Sequence, residues 1–195
     1  MANPNEKNVL WRILHLLRLN CQLIFVFDGP GRPHKRGNAP KEMDPKETKL
    51  LKEMLNHFGI PIHIAPAEAE VECAELQKLG IVDAVWTDDG DALMFGAETV
   101  IRFCFQPESN KHAGINKTKS KKDIERVKIY KSKAITEKYP GLDRKGLALF
   151  AVLCGGDYNQ AGLPGCGPER ALKAASKGLG TMLCGVSANG LPAWR

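Results

Sequence analysis

Six carboxylates occupy positions at which chemistry could gather: Asp28, Glu68, Glu70, Asp89, Asp91 and Asp157. Asp28 ends an apolar run over residues 22–27, and Glu68 and Glu70 follow another at 62–64. Asp89 and Asp91 close a third at 83–87, while Asp157 follows Gly155-Gly156. If those runs are strands of an open α/β sheet, their carboxyl ends converge on one crevice. Carboxylates crowded into a partly buried cleft repel strongly even at an effective dielectric of about 20, so a bound cation is the natural neutraliser. Hard oxygen donors without clustered His or Cys suit Mg²⁺, with Mn²⁺ as the alternative, rather than zinc. Two such ions about 4 Å apart can activate water and stabilise the leaving oxygen of a phosphodiester. Each acid alone has a plainer reading: Glu68 and Glu70 can complement a helix dipole, and Asp89-Gly90 can make a turn.

The elements that must position these acids are legible from hydrophobic spacing. Leu10, Ile13, Leu14 and Leu17 mark a first helix over 8–19, and the continuous apolar run at 22–27 predicts a strand buried on both faces. Residues 46–58 are helical in pattern, 62–64 a short strand, 67–79 a helix and 83–87 a strand, the βαβ rhythm of a parallel sheet. Two further strands are expected at 99–105 and 126–130, separated by a lysine-bearing polar stretch that reads as a surface loop. Beyond Lys131 the pattern turns helical. Gly155-Gly156 stops one helix, and the Gly/Pro-rich segment 162–168 leads into the next.

The chain has 195 residues, 43% of them hydrophobic and 26% charged, which allows one well-buried core. A net charge of +6 favours a polyanionic partner without specifying one. The six cysteines are scattered, with no zinc-knuckle or redox pairing, and fit a reducing compartment. The longest apolar run is far too short to cross a bilayer, and residues 1–7 lack the pattern of a secretory signal, so neither membrane nor export is expected.

Taken together, Phe25-Val26-Phe27-Asp28-Gly29, Ala65-Pro66-Ala67-Glu68-Ala69-Glu70, Thr87-Asp88-Asp89-Gly90-Asp91 and Gly155-Gly156-Asp157-Tyr158 resemble the flap-endonuclease/XPG nucleases, in order and with similar spacing. The wording of residues 80–96 is most similar to the fungal Holliday-junction-resolvase (GEN/Yen-like) branch. The resemblance implies a PIN-like α/β core with a parallel-rich central sheet, over residues 1–139, and a helix-two-turn-helix region over 140–186. It also implies a magnesium-dependent, structure-selective endonuclease that acts on flap or Holliday-junction DNA in nuclear repair and recombination. Asp28, Glu68, Glu70, Asp89, Asp91 and Asp157 match the family's metal-site acids, and Lys35 a basic position facing the scissile phosphate, where a cation stabilises developing charge.

By the same resemblance, Arg32, Lys35 and Arg36 enter the region above the active site, and Gly162, Gly165 and Gly167 let backbone N–H groups approach a duplex phosphate. A K⁺ ion is expected in that turn, with Arg170 and Lys173 adding charge on the next helix. The expected partner is branched double-stranded DNA, with a free monomer and dimerisation on a four-way junction left open. The family's opening strand, with a further metal-binding Asp, has no counterpart before Asp28. Its absence implies either a truncated chain or a degenerate relative, with an apolar groove expected beside residues 22–27. Two other readings stand beside the nuclease: a cleavage-deficient relative that binds branched DNA, and a PIN-type ribonuclease, which would not require the glycine turn.

Overall fold

A computed structural model describes residues 4–32, 45–104, 126–156, 159 and 161–186. The predicted loop before residue 126 and the segment after residue 186 lie outside the described residues, as do Lys35, Arg36 and Asp157. The chain divides into two compact units, Met1–Glu72 and Cys73–Arg195.

The first unit begins with α1 (Pro4–Arg18), whose Val9, Ile13 and Leu17 recur every four residues and so form one apolar stripe. Ile13 is fully buried with Leu55 of α2 (Pro45–His57) and with Ile60. Leu23, Phe25, Phe27 and Ile62 pack against that cluster, which fixes the strands β1 (Phe25–Phe27) and β2 (Ile62–Ile64) beside the helices. The two strands are parallel, with Phe25 opposite Ile62 and Phe27 opposite Ile64.

β1 corrects one expectation. The run at 22–27 yields a strand of three residues, all half-buried, instead of a longer one covered on both faces. The physical reason is pairing: among the described residues β2 is the one strand hydrogen-bonded to β1. A strand with one neighbour has fewer ladder bonds to extend it and less cover for its side chains.

α3 (Ala69–Lys78) follows β2, and the division between the units falls within it. In the second unit, β3 (Val85–Trp86) pairs in parallel with β4 (Thr99–Cys104), and β4 pairs antiparallel with β5 (Arg126–Lys131). The parallel expectation therefore holds for β1–β2 and β3–β4, with a hairpin-like antiparallel pair added. Val85, Val100 and Tyr130 align across that sheet and pack with Ala74, Ala92 and Ala97 as the unit's core.

Between β3 and β4 lies α4 (Asp91–Phe95), which the sequence reading did not anticipate. Gly96 ends it at φ 104°, in the left-handed region, and its N–H bonds back to the Ala92 and Leu93 carbonyls. The rest is helical: α5 (Ser132–Lys138), α6 (Arg144–Cys154), α7 (Pro168–Ser176) and α8 (Leu179–Gly185). Asp143 caps α6 by accepting from the Gly146 N–H at 2.8 Å, and Gly155 at φ 88° stops it as expected. No helix among the described residues is long and apolar enough to cross a membrane.

Candidate functional site

In the first unit the acids are brought together by the chain's tight turn after β1. The ladder continues past Phe27 through the Gly29 N–H, which donates to the Ala67 carbonyl at 2.7 Å. Gly29 lies so close to the next segment that a Cβ there would stand 1.6 Å from the Ala65 oxygen, and one at Gly31 would stand 2.7 Å from the Pro66 oxygen. Only glycine permits that approach at 29. Its consequence is that Asp28, at the strand tip, reaches the start of α3, where its Oδ1 accepts from the Ala69 N–H at 2.9 Å. The strand-tip carboxylate is thus tied to the residue between Glu68 and Glu70. Glu68 is 5% exposed, and burial of an ionised carboxylate is costly unless other groups compensate its charge.

Arg32 takes a role the sequence reading missed. Its Nη1 donates to Asp28 Oδ2 at 2.9 Å, so the guanidinium expected over the substrate is paired with the strand-tip acid. The i, i+4 spacing of Asp28 and Arg32 was the available signal. Glu72 accepts from His63 Nε2 across 2.7 Å, joining α3 to β2.

In the second unit, Asp89 and Asp91 stand on one tight turn. Thr87 Oγ1 accepts from the Asp89 N–H at 3.0 Å, and Asp89 Oδ1 accepts from the Asp91 N–H at 2.9 Å. Asp89 therefore makes the turn that its Asp-Gly sequence suggests and also displays a carboxylate at the foot of α4. Among the described residues no three His, Cys, Asp or Glu side chains stand close enough together to enclose one ion. Within each unit the acids present the hard oxygen donors that suit a divalent cation, Asp28, Glu68 and Glu70 in the first and Asp89 and Asp91 in the second.

The turn between α6 and α7 is built on glycine for two separate reasons. Gly162, at φ 58°, lies against the end of α6, where a Cβ would stand 2.7 Å from the Leu153 oxygen. The Leu163 N–H donates to that same oxygen at 2.9 Å, which fastens the turn to the helix. Gly165 and Gly167 are exposed, with nothing within 4 Å of a Cβ built on them. Their backbone faces open space. Arg170 Nη1 donates to the Gly165 carbonyl at 2.8 Å, which closes the turn and holds a guanidinium beside it, while Lys173 is exposed on the following turn of α7.

Cys154 ends α6 next to this turn, and burial pushes its thiol pKa up, with a smaller contribution from Cys166. Gly141, Gly146 and Gly180 hold the helices behind the turn, each so close to a neighbouring backbone carbonyl that a Cβ would stand 2.4 Å or less from it. Such contacts make α6, α7 and α8 one packed group.

Comparison with known proteins matches residues 59–157 to the XPG I-region. The flap endonuclease GEN homolog 1 of Mus musculus is 34% identical over 192 residues, covering 89% of this chain and 20% of the mouse protein. A solved eukaryotic junction-resolving enzyme, GEN-1 binding with potassium, is 36% identical with a TM-score of 0.72, covering 97% of this chain and 41% of that one. The Holliday junction-resolving enzyme GEN1, solved with product DNA and Mg²⁺, is 38% identical with a TM-score of 0.69, covering 93% of this chain and 40% of that one. The chain thus spans a fifth of the mouse relative's length and about two fifths of the solved enzymes. With the XPG I-region matched over half of the chain and a relative 34% identical across 89% of it, the chain belongs to the flap-endonuclease/XPG family.

Proposed function

We propose that this chain carries the catalytic part of a structure-selective endonuclease that hydrolyses phosphodiesters of flap or four-way-junction DNA in nuclear repair and recombination. The observation that carries the reading is the Asp28–Ala69 hydrogen bond, which holds a strand-tip acid against the Glu68–Glu70 segment. Asp28, Glu68, Glu70, Asp89, Asp91 and Asp157 would hold Mg²⁺ or Mn²⁺, which supplies a Lewis acid and a water of lowered pKa. The chain's own contribution is to fix those oxygens, and to place Lys35 where negative charge develops on the scissile phosphate. Arg32, paired with Asp28 here, would be released toward the substrate backbone where a bound cation neutralised that acid.

The glycine turn receives one phosphate strand of a duplex arm. Gly165 and Gly167 present backbone at an exposed surface, and Arg170 and Lys173 add positive charge beside it. A monovalent cation such as K⁺ belongs in this turn by the same reading, supported by the relative solved with potassium. Recognition is of DNA shape, with little base readout. The residues 1–139 and 140–186 then divide the work between cleavage and duplex binding.

A labelled 5′-flap and a labelled four-way junction incubated with the purified chain, in Mg²⁺ or in EDTA, test the reading. Nicking that requires Mg²⁺ and disappears in Glu70→Ala is expected. One observation favours the second reading, a binding protein without cleavage: Arg32 already neutralises Asp28. Junction binding without nicking, unchanged by Glu70→Ala, would establish that alternative.

A further inference from the structure

Both ends of the chain excursion that carries Asp89 and Asp91 meet one side chain. Gln77, on α3 and 9% exposed, donates through Nε2 to the Asp83 carbonyl at 2.7 Å and to the Thr99 carbonyl at 3.3 Å. Its Oε1 accepts from the Glu98 N–H at 2.8 Å and the Thr99 N–H at 3.3 Å. A primary amide has two N–H donors and two oxygen lone pairs, so its hydrogen-bonding capacity is filled. Every partner is main chain, and every one lies at a stem of the segment between residues 83 and 99.

The tip of that segment is held by its own bonds. Asp89 N–H to Thr87 Oγ1, Asp91 N–H to Asp89 Oδ1 and the Gly96 cap of α4 fix the acidic turn internally. A locally rigid tip on two stems goes where the stems go. The stems enter β3 and β4, whose Val85 and Val100 are buried with Ala74 of α3, and Gln77 is itself a buried polar side chain, where such bonds count for more than at the surface.

We infer that Gln77 is a positioning residue for the Asp89 and Asp91 carboxylates, acting by clasping both stems of the 83–99 excursion with one buried amide. The inference rests on the metal-dependent reading above. Glutamate at this position would set a negative oxygen against two carbonyls, and leucine would match the volume but remove all four of these hydrogen bonds.

The test uses Mn²⁺ as the probe, its binding to the full chain followed by the electron paramagnetic resonance of the free ion. Variants are Gln77→Leu, Asp89→Asn as the ligand control, and Leu55→Ala, a core truncation in the first unit that lowers stability elsewhere. All are measured well below their melting temperatures. Gln77→Leu is expected to weaken Mn²⁺ binding roughly 10- to 100-fold, the range seen when supports of metal ligands are removed, and to raise hydrogen exchange at residues 87–92. Leu55→Ala should leave the affinity unchanged. A folded Gln77→Leu chain that binds Mn²⁺ like the parent, while Asp89→Asn does not, overturns the positioning role alone. Equal Mn²⁺ binding by the parent and Asp89→Asn, or none by either, overturns the metal reading and this inference with it. If Gln77→Leu does not fold, Gln77→Asn, which keeps the amide on a shorter arm, carries the same comparison.

Discussion

The three glycines of the turn between α6 and α7 should respond to alanine in three different ways. At Gly162 the left-handed φ of 58° costs a non-glycine residue roughly 1–2 kcal/mol. The added Cβ would also press within 2.7 Å of the Leu153 oxygen and 2.8 Å of the Cys154 carbonyl carbon, an overpacking cost of roughly 1–3 kcal/mol. Gly162→Ala should therefore destabilise by roughly 2–5 kcal/mol in total. At Gly165 the φ of 77° imposes only the conformational cost, because nothing lies within 4 Å. Gly167 has an ordinary φ of −78° and open space around it, so alanine should leave stability unchanged or raise it by about 0.4–1 kcal/mol through the unfolded chain.

Binding should sort differently from stability. If the exposed backbone of this turn approaches a phosphate, a Cβ at Gly167 blocks that approach without touching the fold. Urea unfolding gives the stability order, and fluorescence anisotropy with a labelled duplex gives affinity at several salt concentrations. Gly167→Ala is expected to retain full stability and lose on the order of 10-fold in affinity, about 1.4 kcal/mol. The slope of log affinity against log salt should stay unchanged, because a backbone N–H carries no net charge and its loss alters no counterion release. Gly167→Ala binding like the parent would refute the phosphate contact, and Gly162→Ala unfolding like the parent would refute the packing argument.

Two further outcomes follow from local geometry. Asp143 accepts from the Gly146 N–H at 2.8 Å and from Thr181 Oγ1 at 3.2 Å, so Asp143→Ala should lower the urea-unfolding free energy by about 1–2 kcal/mol, with Asn restoring much of it. The Cys154 thiol is held above its ordinary value of 9.0 by burial and then by Cys166, so the folded chain keeps its proton longer than the unfolded chain. Stability from this group is whole below that ordinary value and is lost as pH rises through the folded-state pKa. The urea midpoint of Cys154→Ser, measured across the same alkaline range, should fall less steeply than the parent's.

Much of this architecture is readable from residue spacing because single elements bury single faces. Leu10, Ile13, Leu14 and Leu17 announce α1, whose Ile13 and Leu17 enter the first unit's core with Val9, and the 62–64 run becomes β2 as expected. The length of β1 was not readable, because an apolar run records the wish for burial and not the number of strands available to pair with it. α4 escaped notice because five residues are too few to display a helical period, although Gly96 was its visible stop. The acids were picked out by their place after apolar runs, and Asp28 proves to be tied to the Glu68–Glu70 segment. Gln77 left no trace in the sequence. Its partners are main-chain groups at positions 83, 98 and 99, and only the folded backbone brings these to one amide. The Arg32–Asp28 pair, by contrast, lies four residues apart and could have been suspected from charge alone.

The proposed nuclease reading rests on divalent-cation binding by the acids that follow the strands. Anomalous diffraction at the manganese edge, from crystals of the chain grown with Mn²⁺, tests it directly. Manganese peaks at metal–oxygen distance, about 2.0–2.1 Å as for Mg²⁺, are expected at the Glu70 carboxylate and at the Asp89 carboxylate. A well-diffracting crystal at saturating Mn²⁺ with no such peak, or with peaks that touch only one of these acids, would contradict it.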